Sequence, residues 1–254
     1  MISTAWQYLW DIRDRRVDDW FLMSSPWPTV SLAVIYWLIC LKIGPQFMAN
    51  RKPYDLKLPI QAYNLFQIVL SAYICYELCV AGWLNHYNWT CQNVETDTDG
   101  NGYRIASACY VYFISKFTEF ADTFFFILRK KYNNVNKLQL IHHGIMPIQA
   151  YMLVRWLPGG HESFGGAFNS FIHVIMYTYY FLASLGYKIW WKKYLTTFQM
   201  FQFLCVFVHS SILVLGFAEC GYPWQFSLNM MSLMILMFML FSEFYVQAYK
   251  HKTK

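Results

Sequence analysis

The chain has 254 residues, of which 57% are hydrophobic and 21% aromatic, whereas only 13% are charged and the formal net charge is +6. That charged fraction is about half of what a soluble domain carries. Because a soluble protein of this size could not bury so much apolar surface, the composition excludes a soluble globular protein. We expect a single all-α, polytopic membrane domain over residues 1–254, with no nucleic-acid partner.

Residues 1–25 precede the first apolar stretch and are predicted to form an interfacial N-terminal segment. Its apolar run is broken by Asp11 within a few residues, and the segment lacks the basic start of a cleavable signal peptide. Acidic residues alternate with Arg13, Arg15 and Arg16. We therefore expect an interfacial helix in this segment.

Seven stretches are long enough to cross a bilayer, which takes about 20 residues. They are residues 29–47, 60–84, 105–128, 138–156, 165–187, 198–217 and 224–246. The third and fourth contain polar groups and are the weakest candidates. The pattern predicts seven transmembrane helices joined by short loops.

Basic residues lie in alternate loops of this arrangement. One side holds Lys42, Arg51, Lys52, Lys57, Arg129, Lys130, Lys131, Lys137, Lys188, Lys192, Lys193, Lys250, Lys252 and Lys254. The opposite side holds Arg104 and Arg155. Because cytosolic loops are enriched in Lys and Arg, the C-terminus is predicted to be cytosolic and the N-terminus lumenal.

Two features of the predicted lumenal loops agree with this orientation. Asn88-Trp89-Thr90 is a sequon for N-glycosylation at Asn88. Cys91 and Cys220 are the only two of the seven cysteines in these loops, where an oxidising compartment permits a disulfide. Two free thiols are the alternative.

The tail, residues 247–254, carries lysines three and five places from its end, Lys252 and Lys250. This is the pattern of a dilysine retrieval signal, which predicts the endoplasmic reticulum membrane. A merely basic tail is the alternative.

Ionisable side chains within a span are costly and usually face a cavity or one another. In the third stretch, "SKFTEFADTFFFILRKK", one helix face would carry Lys116, Glu119, Asp122 and Thr123. Lys116 and Glu119 are spaced for an intrahelical ion pair. A purely structural network between helices is the alternative.

The fourth stretch begins "LQLIHHGIMP" and places Gln139, His142, His143 and Met146 on one helix face. Pro147 follows, where a kink would open a cavity. A buried histidine is often a core residue with its hydrogen bonds satisfied. Two adjacent histidines beside a polar third side chain favour a functional site instead.

The fifth and sixth stretches each add a polar stripe. The fifth stripe consists of Asn169, His173, Met176, Tyr177 and Tyr180, and the sixth of Thr196, Gln199 and Gln202. These patterns predict a lined polar pocket. Interfacial anchoring of the tyrosines and interhelical hydrogen bonds of the glutamines are the alternatives.

The histidines favour acid–base or nucleophilic chemistry over metal chemistry. Seven histidines in all, several of them in loops, are too few for a membrane di-iron site, and no cysteine lies near the His142–His143 pair. We expect no metal site and no cofactor. An imidazole nucleophile or base in a dry cavity with a basic mouth suits a ligand with phosphates and a hydrocarbon chain, such as acyl-CoA.

Four motifs resemble those of the ELO family of very-long-chain fatty acid elongases, and they occur in the family's order. "KFTEFADT" is similar to KxxExxDT, "LQLIHH" to LHxxHH, "HVIMYTYY" to HxxMYxYY and "TTFQMFQ" to TxxQxxQ. The resemblance covers about residues 14–250. It implies an acyltransferase, a very-long-chain 3-oxoacyl-CoA synthase that condenses malonyl-CoA with a long-chain acyl-CoA and releases CO2 and CoA.

The resemblance also implies a seven-helix bundle around a substrate tunnel that opens to the cytosol. His142 would take the acyl chain as an acyl-imidazole, His173 would face it, His143 would shape the site, and Lys116 would lie along the CoA path. Asp122 completes the expected catalytic set. The expected substrate contacts are Glu119, Asn169, Met176, Tyr177, Tyr180, Thr196, Gln199 and Gln202, of which Asn169, Tyr177, Gln199 and Gln202 are candidate hydrogen-bond donors to an enolate.

The implied partners are acyl-CoA, malonyl-CoA, membrane lipid and the other enzymes of the elongation cycle, and a homodimer is left open. Preferences for chain length and saturation would depend on the side chains that close the far end of the tunnel.

Gln139 departs from the family motif, which has histidine at this position. Glutamine can hydrogen-bond but cannot titrate near neutral pH. We expect its amide to orient His142 or to bond a CoA carbonyl in an active enzyme. A catalytically weak or inactive homologue, acting as a partner subunit or lipid-binding regulator, is the alternative. A seven-span receptor is a third reading, which the dilysine tail and the histidines in the spans do not suit.

Overall fold

A computed structural model of the protein describes residue 7 and residues 10–250, and every regular element among them is helical. The all-α prediction is confirmed for this part of the chain. The long helices are α1 (Pro26–Met48), α2 (Lys57–Trp83), α3 (Asn101–Thr118), α4 (Phe120–Leu128), α5 (Lys137–Trp156), α6 (Ser163–Ser184), α7 (Lys192–Val214) and α8 (Trp224–Tyr245).

Within the described residues, four helices, namely α1, α2, α7 and α8, are long and apolar enough to cross a membrane. Large apolar side chains such as Leu41, Val69, Phe201 and Met239 are exposed on them, as expected for surfaces that face lipid rather than water. Helices also form at the three other predicted stretches. These helices carry buried polar side chains such as Lys116, His143, Arg155 and His173. Their mean hydropathy is therefore too low for composition alone to identify them as membrane spans.

The third predicted span is two helices, α3 and α4, which meet at Glu119. Hydroxyl groups compete with the helical main chain just before this break. Ser115 Oγ donates to the carbonyl oxygen of Tyr112, and Thr118 Oγ1 donates to that of Ser115, both at 2.7 Å. Such back-bonding bends helices, and it explains why the single helix expected over 105–128 is interrupted.

Helix α5 carries the histidine pair and packs closely on α1. Asn136 caps it, since its side chain accepts a hydrogen bond from the main-chain N–H of Gln139 at 2.9 Å. A Cβ atom at Gly144 would lie 2.4 Å from the Trp37 ring, so only glycine permits this approach. Helix α5 continues through Pro147, the position at which a kink was expected.

Two apolar clusters form most of the interior near the motifs. One joins α5, α7 and α8 through residues that include Met146, Val206 and Met237. The other joins α2, α3 and α6 through residues that include Ile74 and Ile105. The motif-bearing helices α5 and α6 thus contribute buried side chains to different clusters, and Phe164 of α6 packs against both.

The loops at the predicted lumenal end are fastened together. Cys91 and Cys220, the pair expected from the sequence, form a disulfide with their Cα atoms 5.7 Å apart. Asn88, the predicted glycosylation site, is exposed, and its side-chain oxygen accepts hydrogen bonds from Thr90 N and Oγ1. The position of this loop therefore leaves the sequon accessible.

The N-terminal segment packs against the bundle instead of forming the expected helix throughout. Between residues 12 and 25 its regular structure is the 3-10 turn Arg15–Val17. Val17 and Met23 are fully buried, and Asp18 pairs with the buried Arg155 at 2.5 Å. These buried contacts hold the main chain of the N-terminal segment in an irregular conformation. At the other end, Lys252 of the predicted dilysine signal lies outside the described residues.

Candidate active site

Two cavities meet between the helices that carry the motifs. The wider has a volume of about 220 Å³ and the narrower about 60 Å³. Four side chains line both cavities: His142, Asn169, Gln202 and Phe203. The predicted nucleophile therefore lies at the junction.

The wide cavity gathers residues from all four motifs. Eleven predicted site residues line it: Asp122, Gln139, His142, His143, Asn169, His173, Met176, Tyr180, Thr196, Gln199 and Gln202. Lys192, one of the basic residues predicted at the cytosolic mouth, lines it as well. Three predicted site residues, Lys116, Glu119 and Tyr177, are absent from the lining of both cavities.

The narrow cavity is almost entirely apolar. Its walls come mainly from α5, α7 and α8, with side chains such as Met146, Leu153, Val206 and Met234. It reaches Glu162 at the end of α5 opposite to Gln139. The polarity of these walls suits a hydrocarbon chain.

Lys116 and Glu119 form a buried ion pair behind the cavity wall. Lys116 Nζ lies 2.7 Å from Glu119 Oε1, and both side chains are almost fully buried. Glu119 Oε1 also lies 3.3 Å from His173 Nδ1, and Lys116 Nζ donates to Asn169 Oδ1 at 3.2 Å. We expected Lys116 to lie along a CoA path. It lies behind the cavity wall instead, where it supports two side chains that line the cavity: Asn169 directly and His173 through Glu119.

Asp122 is held by a chain of hydrogen bonds that reaches α2. The hydroxyl of Tyr177 donates to Asp122 Oδ2 at 2.7 Å and lies 3.3 Å from the hydroxyl of Tyr63. Gln67 Nε2 donates to the Tyr63 hydroxyl at 2.9 Å. Tyr63 and Gln67 were not identified from the sequence, although their i,i+4 spacing in "YNLFQIVLSAY" placed two polar groups on one helix face.

Gln139 contacts neither His142 nor His143 through hydrogen bonds of its amide. Its Nε2 atom donates to Thr123 Oγ1 at 3.0 Å. The hydroxyl of Tyr36 lies 2.9 Å from Thr123 Oγ1 and 3.3 Å from the main-chain oxygen of Gln139. We expected the Gln139 amide to orient His142 directly. It joins α5 to Thr123 of α4 instead, and Tyr36 of α1 completes this junction. Tyr36 had no recognisable signal in the sequence.

His142 contacts a methionine of α8. Its Nδ1 atom lies 3.3 Å from Met237 Sδ, and a thioether sulfur can only accept a hydrogen bond. A proton on Nδ1 would make this contact a hydrogen bond and would leave the lone pair on Nε2. The ring of His143 stands edge-on, with its centroid 5.2 Å away. Met237, in an apolar run of α8, was not identified from the sequence.

A second polar cluster lies at the far end of the narrow cavity, outside the four motifs. Ser210 Oγ donates to Glu162 Oε2 at 2.9 Å, whereas Oε1 has no partner among the described residues. Burial raises the pKa of Glu162 to about 7. The ring of His161 stacks on that of His209 with centroids 3.9 Å apart. Within residue 7 and residues 10–250, no three His, Cys, Asp or Glu side chains are grouped to hold a metal ion.

Comparisons with known proteins agree with the motifs. The model of the ELO: GNS1/SUR4 family matches residues 21–254. Very long chain fatty acid elongase 7 of Drosophila melanogaster is 44% identical over 254 residues, which cover 98% of this chain and 77% of that protein. Very long chain fatty acid elongase 4 of Homo sapiens is 38% identical over 265 residues, covering 100% of this chain and 83% of the relative. By its sequence and its motifs, this chain belongs to the ELO family.

Proposed function

We propose that this protein is a very-long-chain fatty acid elongase, a 3-oxoacyl-CoA synthase that condenses malonyl-CoA with a long-chain acyl-CoA. The observation that carries the proposal is the position of His142, where the wide cavity, which contains the polar side chains of all four motifs, meets the narrow and mainly apolar one. The narrow cavity suits the acyl chain. The wide cavity, with Lys192 in its wall, suits the phosphates of CoA. Relatives named very long chain fatty acid elongases support the same function.

The first half-reaction transfers the acyl group to His142. The Nε2 lone pair attacks the thioester carbonyl, and the tetrahedral intermediate collapses with loss of the CoA thiolate. The C–S bond breaks as the C–N bond forms. The proton on Nδ1 is then lost, with the thiolate as its eventual acceptor. An acyl-imidazole remains, and it is reactive enough to pass the acyl group onward.

The second half-reaction forms the carbon–carbon bond. Malonyl-CoA loses CO2, and the electron pair of the broken bond becomes an enolate of acetyl-CoA. Its α-carbon attacks the acyl-imidazole carbonyl, the C–N bond breaks, and the departing imidazolide takes up one proton from solvent water, so 3-oxoacyl-CoA leaves with the neutral imidazole regenerated. The reaction requires no redox cofactor. Donors near the developing enolate oxygen would stabilise its charge.

The cavity walls contain groups suited to these steps. Asn169 Oδ1 accepts from Tyr112 and Lys116, so the Asn169 amide nitrogen is free to donate to an enolate oxygen. Gln199 and Gln202 offer further amide donors in the same wall. His173, backed by the Glu119 carboxylate, is oriented for proton transfer.

The proposed membrane arrangement has seven crossings, made by α1, α2, α3 with α4, α5, α6, α7 and α8. The C-terminus is cytosolic, the protein resides in the endoplasmic reticulum membrane, and it works there with the other enzymes of the elongation cycle. The exposed Asn88 is lumenal in this arrangement, so an endoglycosidase should increase the mobility of the protein on a gel. Glycosylation at a sequon engineered into residues 129–137 would refute the orientation.

The catalytic proposal is tested with microsomes that express the protein, supplied with labelled malonyl-CoA and a panel of acyl-CoAs. His142→Ala should lower product formation at least about a hundredfold. His86→Ala, at an exposed loop histidine, is the matched control and should stay within about twofold of wild type. Given acyl-CoA alone, the wild type should release about one CoA per site. Wild-type turnover in His142→Ala would remove this residue as the nucleophile. A folded wild type that elongates no acyl-CoA would favour the non-catalytic alternative.

A further inference from the structure

Gln149 is a polar side chain in the mainly apolar wall of the narrow cavity. His142, Met146, Gln149 and Leu153 all line this cavity, because residues at these spacings share one face of α5. Gln149 is the polar member of this row beyond the histidine, and it is only 4% exposed. A buried amide needs partners for both its oxygen and its nitrogen.

The amide of Gln149 is satisfied at one end only. Its Oε1 atom accepts a hydrogen bond from Asn229 Nδ2 of α8 at 2.9 Å. Its Nε2 atom has no partner among the described residues. The contact with Asn229 holds the oxygen end, whereas the N–H groups of this cavity-lining side chain are buried without a partner among the described residues. A donor left unpaired in an apolar passage is costly, so an occupant that accepts a hydrogen bond is favoured over one that cannot.

We propose that Gln149 is a specificity residue that recognises a hydrogen-bond acceptor in the acyl chain, about eight to ten carbons from the thioester carbonyl. The seven residues from His142 to Gln149 correspond to a rise of about 10 Å along α5. An extended chain of tetrahedral carbons joined by bonds of about 1.5 Å advances by roughly 1.3 Å per carbon, so about eight carbons cover that rise. The acceptor is an oxygen substituent or, more weakly, the π face of a double bond. This inference rests on the elongase function proposed above.

The wild type alone gives the first test, because recognition by one fixed donor must depend on position. Microsomes are supplied with saturated octadecanoyl-CoA, with cis-octadecenoyl-CoA isomers whose double bond is moved along the chain, and with 9,10-epoxyoctadecanoyl-CoA. The value of kcat/KM relative to the saturated chain should peak at about threefold for a double bond near carbon 9. It should reach about tenfold for the epoxide. Because moving the double bond also moves the bend, the decisive comparison is between the epoxide and the cis-9 alkene, which bend the chain at the same place but differ in acceptor strength.

Two substitutions give the second test. Gln149→Met keeps a similar volume but removes the donor, and it should flatten the dependence on position and abolish the preference for the epoxide. Met152→Leu changes a side chain of the same helix that lines neither cavity, and it should keep the wild-type ratios. An unchanged peak in Gln149→Met, or no peak near carbons 8–10 in the wild type, would overturn the proposal. If Gln149→Met and a second variant, Gln149→Leu, both fail to fold, the wild-type scan decides. Failure to elongate even the saturated chain would instead count against the elongase function itself.

Discussion

Glu119 Oε1 lies 3.3 Å from His173 Nδ1 and 2.7 Å from Lys116 Nζ, so one buried carboxylate joins the cavity wall to an internal cation. A carboxylate beside Nδ1 favours the proton on that nitrogen and leaves the Nε2 lone pair of His173 available. The ring is thereby fixed in one tautomer and one orientation. The charges of Lys116 and Glu119 are both buried. Removal of either one would leave the other as an uncompensated buried charge.

Removing the cation of this pair should destabilise the protein strongly. Lys116→Met leaves the Glu119 carboxylate buried without its main partner, a loss of about 3–5 kcal/mol in the free energy of unfolding. The matched control is Lys137→Met. Its partner is Glu243 at 3.3 Å, and the two side chains are 65% and 49% exposed, so the loss should be below about 1 kcal/mol. Thermal denaturation of both variants in detergent checks the difference. Equal losses would show that burial does not govern the strength of the Lys116–Glu119 pair.

Removing the charge of Glu119 should reduce turnover more than substrate binding. Glu119→Gln weakens the hold on the His173 proton, and we expect kcat to fall by about tenfold to a hundredfold. Because Glu119 lines neither cavity, KM for acyl-CoA should change by less than about threefold. Steady-state kinetics over a range of acyl-CoA concentrations separate the two parameters. A rise in KM with kcat unchanged would assign Glu119 to substrate binding instead.

The sequence revealed the ionisable side chains of the site because such groups are rare in apolar stretches, and this was sufficient to single out Asp122, His142 and His173. It did not reveal partners that look apolar or belong to distant helices. Met237 is one methionine in an apolar run, and its contact with His142 exists only when α5 and α8 pack together. The burial of the Lys116 side chain was also unpredictable. Its spacing in the sequence identifies the helix face on which it lies, but not which other helices pack against that face.

The disulfide should contribute measurably to stability. The bridge between Cys91 and Cys220 closes a loop of 129 residues in sequence, and removal of such a constraint typically costs about 2–4 kcal/mol. The double variant Cys91→Ser/Cys220→Ser should therefore melt at a lower temperature than wild type. Cys205→Ser, at a free cysteine of α7, is the control and should melt close to wild type. Labelling of Cys91 by a maleimide in the unreduced, unfolded wild type would contradict the bridge.

The stability of the protein should depend on pH through Glu162. Burial raises its pKa from 4.5 to about 7, so the folded state binds a proton that the unfolded state releases between these values. The contribution is therefore fully present below pH 4.5 and is lost as pH rises through about 7. Its full size is on the order of 3 kcal/mol. Burial lowers the pKa of the adjacent His161, which acts with the opposite sign below its ordinary value of 6.5.

The comparison of wild type with Glu162→Gln separates these effects, since both proteins keep His161. The melting temperature of wild type minus that of the variant, measured in detergent, should fall between pH 5 and pH 8. A difference that stays constant over this range would show that Glu162 does not bind the proton on folding.

Gln139 should act through Thr123 rather than through His142. Its amide donates to Thr123 Oγ1 at 3.0 Å, next to Asp122 in the cavity wall. An imidazole at this position can also donate a hydrogen bond, so Gln139→His should change the condensation rate by less than about tenfold, roughly 1.4 kcal/mol of barrier. Gln139→Ala should cost more, because it removes a hydrogen bond worth about 1 kcal/mol and part of the wall.

A double-mutant cycle with Thr123→Val identifies the path of the effect. If Gln139 works through Thr123, the rate lost in Gln139→Ala/Thr123→Val should be smaller than the product of the two single losses. Strictly independent effects would contradict this, since the hydrogen bond would then contribute nothing to the site. A large gain of activity in Gln139→His, from an inert wild type, would mean that the site requires a titrating group at this position. The glutamine would then mark a chain that has lost condensation, and the role of a partner subunit would replace that of an enzyme.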